Sequence, residues 1–314
     1  MNFSGVDLRG YKRARVVVCL AAYNGSRWLT EQVESILNQQ GVDVEIFISV
    51  DVSTDGTEQL VDSLVARDSR IVSLPHGSRF GSASLNFLRL LRDVNFAEYD
   101  YISFSDQDDI WCSFKLSRAR FRLEVSGAHG YSSDVICFWE DGKQQTIIKS
   151  QPQQKWDYLF EAAGPGCTYV MRKDFVIIVQ DFVRKNWGDV QSVGYHDWFV
   201  YAFARVNGCK WVIDDLPCLL YRQHQNNQIG INSGWRAFCN RSKKILSGSG
   251  IEQSKLLLNI FDLNRNPFAV RWSSGSNLGL CYLALCASQC RRRFRDKIIF
   301  FLSCLALILF KRRE

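Results

Sequence analysis

Neither of the common glycine cradles for phosphate, G-x-G-x-x-G or G-x-x-x-x-G-K-S/T, occurs in this 314-residue chain. A nucleotide bound here would need a cation in their place. C-x-x-C pairs are missing too, despite 11 cysteines. The cysteines are odd in number, scattered, and mostly set in apolar runs such as Val18-Cys19-Leu20, while Cys281, Cys286 and Cys290 lack zinc-finger spacing and partner histidines. That pattern argues against a disulfide framework or zinc site and for buried free thiols in a reducing cytosol. Met1 to Arg15 is polar, without a signal-peptide core, so export is not expected. There are no internal repeats and no long linker.

Charge and hydropathy are informative at the C-terminus. The formal net charge is +7, and Arg291-Arg292-Arg293, Arg295, Lys297 and Lys311-Arg312-Arg313 crowd the end. They bracket Ile298 to Phe310, apolar except for Ser303. That run is short of the ~20 residues a membrane-spanning helix needs. The apolar neighbours point to an anionic membrane surface as partner and not to nucleic acid. Two readings stay open, an interfacial anchor on the cytoplasmic leaflet and a helix packed on the domain.

The first third alternates strand and helix patterns. Val16 to Leu20, Val44 to Ile48, Ile71 to Leu74 and Tyr101 to Phe104 read as strands, with helical spacing between them at Leu29, Val33 and Ile36, at Leu60, Val61 and Leu64, and at Leu85, Leu88 and Leu91. Such alternation implies parallel βαβ units. Ligands in those sheets sit beyond the carboxyl ends of the strands, which is where Tyr23, Asp51 and Asp106 fall.

Asp106-Gln107-Asp108-Asp109 gathers carboxylates at a strand end. Such a cluster is unfavourable unless a cation neutralises it, and hard divalent ions take oxygen ligands. Asp106 and Asp108 alternate along an extended chain and are expected on one side of it. The tetrapeptide alone fits a Mg²⁺ or Mn²⁺ site or a capped polar turn equally well. The missing phosphate loop shifts weight to the metal.

Seven motifs then occur in order: Leu20-Ala21-Ala22-Tyr23-Asn24-Gly25, Ser49 to Thr57, Asn86-Phe87-Leu88, Ser105 to Trp111, Gly166-Cys167-Thr168, His196-Asp197-Trp198 and Tyr221-Arg222-Gln223-His224. Each alone is weak. Together, from Val16 to Gly230, they resemble family 2 glycosyltransferases of the GT-A fold, in particular bacterial rhamnosyltransferases of O-antigen and capsule assembly.

The resemblance implies an α/β fold with a mostly parallel central sheet flanked by helices. Residues 1–15 would be a tail, 16–111 the nucleotide-sugar-binding half, 112–230 the acceptor-binding half, and 231–314 a helical extension. It also implies metal-dependent, inverting transfer from a nucleotide-diphosphate sugar, dTDP-rhamnose or alternatively a UDP-hexose. The implied acceptor is a polyprenyl-diphosphate-linked glycan at the inner face of the cytoplasmic membrane.

By the same resemblance Asp51 accepts a hydrogen bond from a uracil or thymine imide, and Ala21 and Tyr23 line the base pocket. Asp106 and Asp108 hold Mg²⁺ or Mn²⁺ at the donor diphosphate, and Asp109 orients their loop. Asp197, flanked by His196 and Trp198, becomes the general base, although alone it reads as a helix N-cap. His224 reaches the metal or the leaving phosphates, with Arg222 offsetting charge, or both belong to an ordinary hydrogen-bonding pair. Gly166, Cys167 and Thr168 shape the acceptor side, Cys167 as a packed thiol.

The chain departs from the family pattern where Asp-Asp-Gly-Ser reads Val50-Asp51-Val52-Ser53 and where alanines stand at 21 and 22. A β-branched residue at 52 resists backbone angles open to glycine. An altered donor pocket is expected. A weakened enzyme, or a non-catalytic sugar-nucleotide or glycan-binding protein of the same fold, is the other reading.

Overall fold

The computed structural model describes residues 13–224 and 248–311. Most of the expected tail, the boundary near Gly230 with Trp235, and Arg312-Arg313 lie outside the described residues. Strand and helix alternate first as expected, through β1 (Ala14–Ala22), α1 (Leu29–Leu37), β2 (Val42–Val50), α2 (Thr57–Arg67), β3 (Ile71–Ser73), α3 (Ala83–Asp93) and β4 (Tyr101–Ser105). Next come β5 (Ile110–Trp111), α4 (Lys115–Ser126), β6 (Gly130–Ser133), β7 (Val135–Phe138), β8 (Gln144–Ile147) and β9 (Val170–Arg172). After them run α5 (Lys173–Lys185), α6 (Trp187–Val190), α7 (His196–Val206), β10 (Trp211–Asp214) and β11 (Leu219–Arg222). The C-terminal helices are α8 (Ser249–Ile260), α9 (Pro267–Trp272), α10 (Asn277–Leu285), α11 (Ala287–Cys290) and α12 (Phe294–Lys311).

β1 is apolar throughout because both of its faces are covered. Val16, Val18 and Leu20 pack with Val33, Val61 and Leu123 from α1, α2 and α4. The alternate residues Val17, Cys19 and Ala21 share the opposite core with Phe87, Val176 and Phe199 from α3, α5 and α7. The C-terminal helices extend this second core through Trp272, Leu283 and Cys304. All ten cysteines among the described residues are unpaired.

The main sheet runs β10-β6-β9-β4-β1-β2-β3. Its ladders are parallel except for the two made by β9. That reversed strand positions the site. β1, β2 and β4 end on one edge, and β9 begins there, so Gly166-Cys167-Thr168 reaches the edge that carries Asp106. Phe104 N–H donates to the Tyr169 carbonyl at 3.2 Å and fixes this register. A smaller sheet, β5-β11-β7-β8, pairs β11 with β5 and brings Arg222 beside the acidic turn.

Two arginines of the basic C-terminal segment turn towards the fold. Arg292 has a side chain 1% exposed, bridging Asp157 and Glu161, and it donates to the Ala162 carbonyl. Arg291 donates to the Phe160 carbonyl. Arg292 is drawn inward because Asp157, fully buried and bonded to Arg205 and Tyr201, needs charge compensation there. α12 is two-sided. Phe300 packs on Phe160 with 5.0 Å between rings and Cys304 is buried, while Ile298, Phe301, Leu302 and Leu309 are exposed. No helix among the described residues is long and apolar enough to cross a membrane. Asp157→Ala would remove the carboxylate shared by Arg205 and Arg292, and we expect it to cost about 3–5 kcal/mol in urea unfolding.

Candidate active site

β4 stops at Ser105, and Asp106 to Asp109 form a bend that leads into β5. Asp106 and Asp108 are therefore set by a turn and not by strand alternation, a correction to the extended geometry expected above. The turn is pinned by its own side chains. Gln107 accepts from Tyr23 N–H at 2.8 Å and donates to the Tyr23 carbonyl at 2.9 Å. Asp109, fully buried, accepts from Arg222 N–H at 3.2 Å through one oxygen. Arg222 Nε donates to the Asp108 carbonyl at 2.8 Å, and its guanidinium also pairs with Glu31. His224 Nε2 lies 2.7 Å from Asp108 Oδ2, its ring stacked on Trp28 at 4.2 Å.

On one side of this turn, Asp51 follows β2 directly. Its carboxylate accepts from Val52 and Phe80 N–H, each at 2.9 Å, and from Gly81 N–H at 2.7 Å. A carboxylate has about four acceptor positions, so one remains for a ligand N–H. Ala21 is buried beneath this edge and Tyr23 is 54% exposed. Asn24 takes a left-handed backbone (φ +46°), and its side chain accepts from Thr54 N–H at 2.8 Å. Val52 is not among the described residues with positive φ, so the discomfort expected of valine there does not arise.

On the opposite side, Asp197 occupies the first turn of α7 and accepts from Trp198 N–H at 2.8 Å. Tyr195, not Asp197, is the N-cap. His196 is stacked on Phe87 at 3.9 Å, and Trp198 turns into the core and donates to the Tyr158 carbonyl at 2.7 Å. Gly166 is pressed against this pair, since a Cβ there would lie 2.5 Å from His196 Nε2 and 3.3 Å from Asp197 Cβ. Cys167 is fully buried beside Asp106 and Asp109, and Thr168 caps back to the Pro165 carbonyl.

The electrostatics tie the two sides together. Burial, with the charges of Asp108 and Asp197 behind it, pushes Asp106 up to about 7. Burial and the Asp108 charge also raise Asp109. Asp197 is pushed up to about 6 by burial, opposed by the Trp198 N–H. His196 is lowered to about 3 by burial, so it is a neutral ring. The second oxygen of Asp109 is buried without a hydrogen-bond partner, and ligand atoms of Asp106, Asp109 and Cys167 lie within 4.8 Å of one another. An oxygen-rich cluster that holds protons this tightly fits a divalent cation.

Sequence reasoning missed three contributors. Gln107 lies inside the motif, and its spacing from Tyr23 carries no signal. Trp28, which stacks on His224, lies outside every motif. Lys115 stands at the start of α4 and is fully buried, 3.3 Å from the centre of the Trp111 ring and 3.3 Å from Ser103 Oγ. Burial lowers it to about 7, and the nearby Cys167, Cys218 and Asp109 partly offset the shift.

Residues 17–136 match the family model described as Glycosyl transferase family 2. A "dTDP-rhamnosyl transferase RfbG" of Shigella flexneri is 40% identical over 90% of this chain and 98% of the relative. The chain belongs to glycosyl transferase family 2. This glycosyltransferase is also 34% identical, over 71% of its length and 90% of the relative, to the "UDP-Glc:alpha-D-GlcNAc-diphosphoundecaprenol beta-1,3-glucosyltransferase WfaP" of Escherichia coli. Among solved structures it is similar to S. aureus TarS 1–349 in complex with UDP-GlcNAc, with a TM-score of 0.53 and 13% identity over 95% of this chain and 89% of the other. That likeness concerns the fold, which is GT-A as expected.

The Gly166 contact predicts a specific sensitivity. Gly166→Ala should displace His196 and Asp197 together, and transfer should fall about tenfold or more. Circular dichroism should remain that of a folded protein.

Proposed function

We propose that this glycosyltransferase is a divalent-metal-dependent, inverting rhamnosyltransferase that uses dTDP-rhamnose. Its acceptor would be a lipid-linked glycan at the cytoplasmic face of the membrane, in O-antigen or capsule synthesis. The observation that carries the reading is the convergence of Asp106 and Asp108 with Asp197 on one sheet edge, close enough for the Asp197 charge to raise Asp106. The Shigella relative supports the donor. The Escherichia coli relative, named for UDP-Glc, keeps a UDP-hexose as the second reading.

In this scheme Tyr23 and Ala21 receive the base, and the remaining acceptor position of Asp51 takes its imide N–H. Asp106 and Asp108, with His224 beside them, would hold Mg²⁺ or Mn²⁺, which stabilises the departing nucleoside diphosphate. Asp109 and Arg222 orient that turn. Asp197 takes the acceptor hydroxyl's proton as that oxygen bonds to the anomeric carbon and the bond to the diphosphate breaks. One displacement inverts the configuration, and no enzyme nucleophile is needed. Gly166, Cys167 and Thr168 form the wall on the acceptor side, in the half after residue 111. A base raised to about 6 is ionised at neutral pH and matched to a proton in flight.

The exposed face of α12, with Arg293 and Arg295 exposed next to it, is the surface we assign to the anionic membrane. The helix also packs on the domain, so the two readings of the tail describe its opposite faces.

Transfer measured with a panel of dTDP- and UDP-sugars, with and without Mn²⁺, tests the donor and the metal. Activity without added cation, in chelator, would sink the metal. Because only ionised Asp197 can accept a proton, kcat should fall as pH drops through about 6. Asp197→Asn should lower kcat by about 10²–10⁴ and erase that limb. Phe301→Glu with Leu302→Glu should move the protein from anionic vesicles to the supernatant without changing its unfolding midpoint. Unchanged sedimentation with vesicles would rule out this membrane face.

A further inference from the structure

We propose that Gln107 is a positioning residue that couples the platform for the donor base to the turn that carries the metal-site carboxylates. This rests on the donor-site reading above. Three observations carry it. The first is the pair of hydrogen bonds between one carboxamide and one residue. Oε1 accepts from Tyr23 N–H and Nε2 donates to the Tyr23 carbonyl, so both polar groups of the Tyr23 backbone are engaged by a side chain 84 positions away. A planar amide held at both ends fixes orientation as well as distance.

Second, the Tyr23 ring is half exposed, so packing does little to place it. Its position follows from its backbone, and its backbone is held by Gln107. Gln107 in turn stands between Asp106 and Asp108, so a displacement of either loop is transmitted to the other. Third, the neighbouring sequence makes room for the clamp. A Cβ on Gly25 would lie 2.2 Å from Gln107 Oε1 and 2.5 Å from Cδ, so any larger residue at 25 must evict the amide. Asn24 makes the sharp turn that brings Gly25 there, and Gly25 N–H is anchored on Thr57 Oγ1 at 2.9 Å.

The functional consequence follows from the length of the ligand. A nucleoside diphosphate must be met by an aromatic platform at one end and a cation site at the other. Two loops that move independently satisfy both ends only part of the time, and apparent affinity falls by that fraction.

The test uses the full-length protein and its variants Gln107→Ala, Gln107→Met, Gly25→Ala and the double variant Gly25→Ala/Gln107→Ala. Gln107→Met retains volume and removes both hydrogen bonds. We expect Tyr23 amide hydrogen exchange in the nucleotide-free protein to speed up about tenfold or more in each. Calorimetric dissociation constants for dTDP and for UDP, with Mn²⁺ present, should weaken about tenfold. The donor KM should rise with them while kcat is largely kept and the unfolding midpoint barely moves. The double variant should be no worse than either single one, because both remove the same clamp.

Unchanged exchange would overturn the clamp. Faster exchange with unchanged nucleotide affinity would reduce it to a loop staple and overturn the coupling, as would additive losses in the double variant. A wild-type protein that binds neither dTDP nor UDP would overturn the donor-site reading itself, a result distinguishable from clamp failure because the exchange rates do not depend on any nucleotide.

Discussion

Asp106, Asp108, Asp109 and Asp197 are drawn to one edge of the sheet, where burial raises the proton affinity of three of them and repulsion adds to it at Asp106 and Asp109. Such a grouping opposes folding unless something compensates it. The chain supplies part of the compensation. Arg222 donates its backbone N–H to Asp109 and its guanidinium to the Asp108 carbonyl. Lys115 lies beneath the turn, and the N-terminal turn of α7 presents the Trp198 N–H and the positive end of its dipole to Asp197. None of these is a full charge in contact with Asp106. The positive charge still lacking is what a divalent cation would supply in our proposal, so a term unfavourable to folding becomes affinity for the cation.

The topology serves that constraint. Parallel strands deliver the loops after their own ends to this edge, among them those after β1, β2, β3 and β4. The reversed β9 adds the Gly166-Cys167-Thr168 turn, and β11 adds Arg222 and His224 from the smaller sheet. Gly166 then lets the β9 turn approach α7 closely enough to seat Asp197 opposite the acidic bend.

What could be read from residues alone follows from physics. The first four strands and three helices were readable because burial on both sheet faces leaves continuous apolar runs, and helices between them show a 3.6-residue period. The acidic bend was readable because charge at a strand end is costly. Gln107, Lys115 and Arg292 were not, because a polar residue says nothing of its partner. Gln107 finds a backbone 84 residues away, Lys115 an aromatic ring, and Arg292 a carboxylate 135 residues away. The strand alternation expected for Asp106 and Asp108 failed for the same reason, since those long-range bonds bend the chain after Ser105. Val52 drew suspicion from its type alone, and its actual backbone removes it.

The inward turn of Arg292 changes how the C-terminal helices relate to the chemistry. Its guanidinium meets Asp157, which also accepts from Tyr201 and Arg205 of α7. α7 is the helix whose first turn carries Asp197. α12 begins two residues after Arg292, and Phe300 seats it on Phe160 in the segment that follows Asp157. The face assigned to the membrane is therefore braced, through one buried ion cluster, against the helix that holds the proposed base. An acceptor whose lipid stays in the bilayer needs its sugar hydroxyl at a set distance from that surface. A helix on a flexible tether would leave that distance undefined. In our proposal a helix locked to α7 defines it, and Arg292, buried against Asp157, would serve that lock and not lipid attraction.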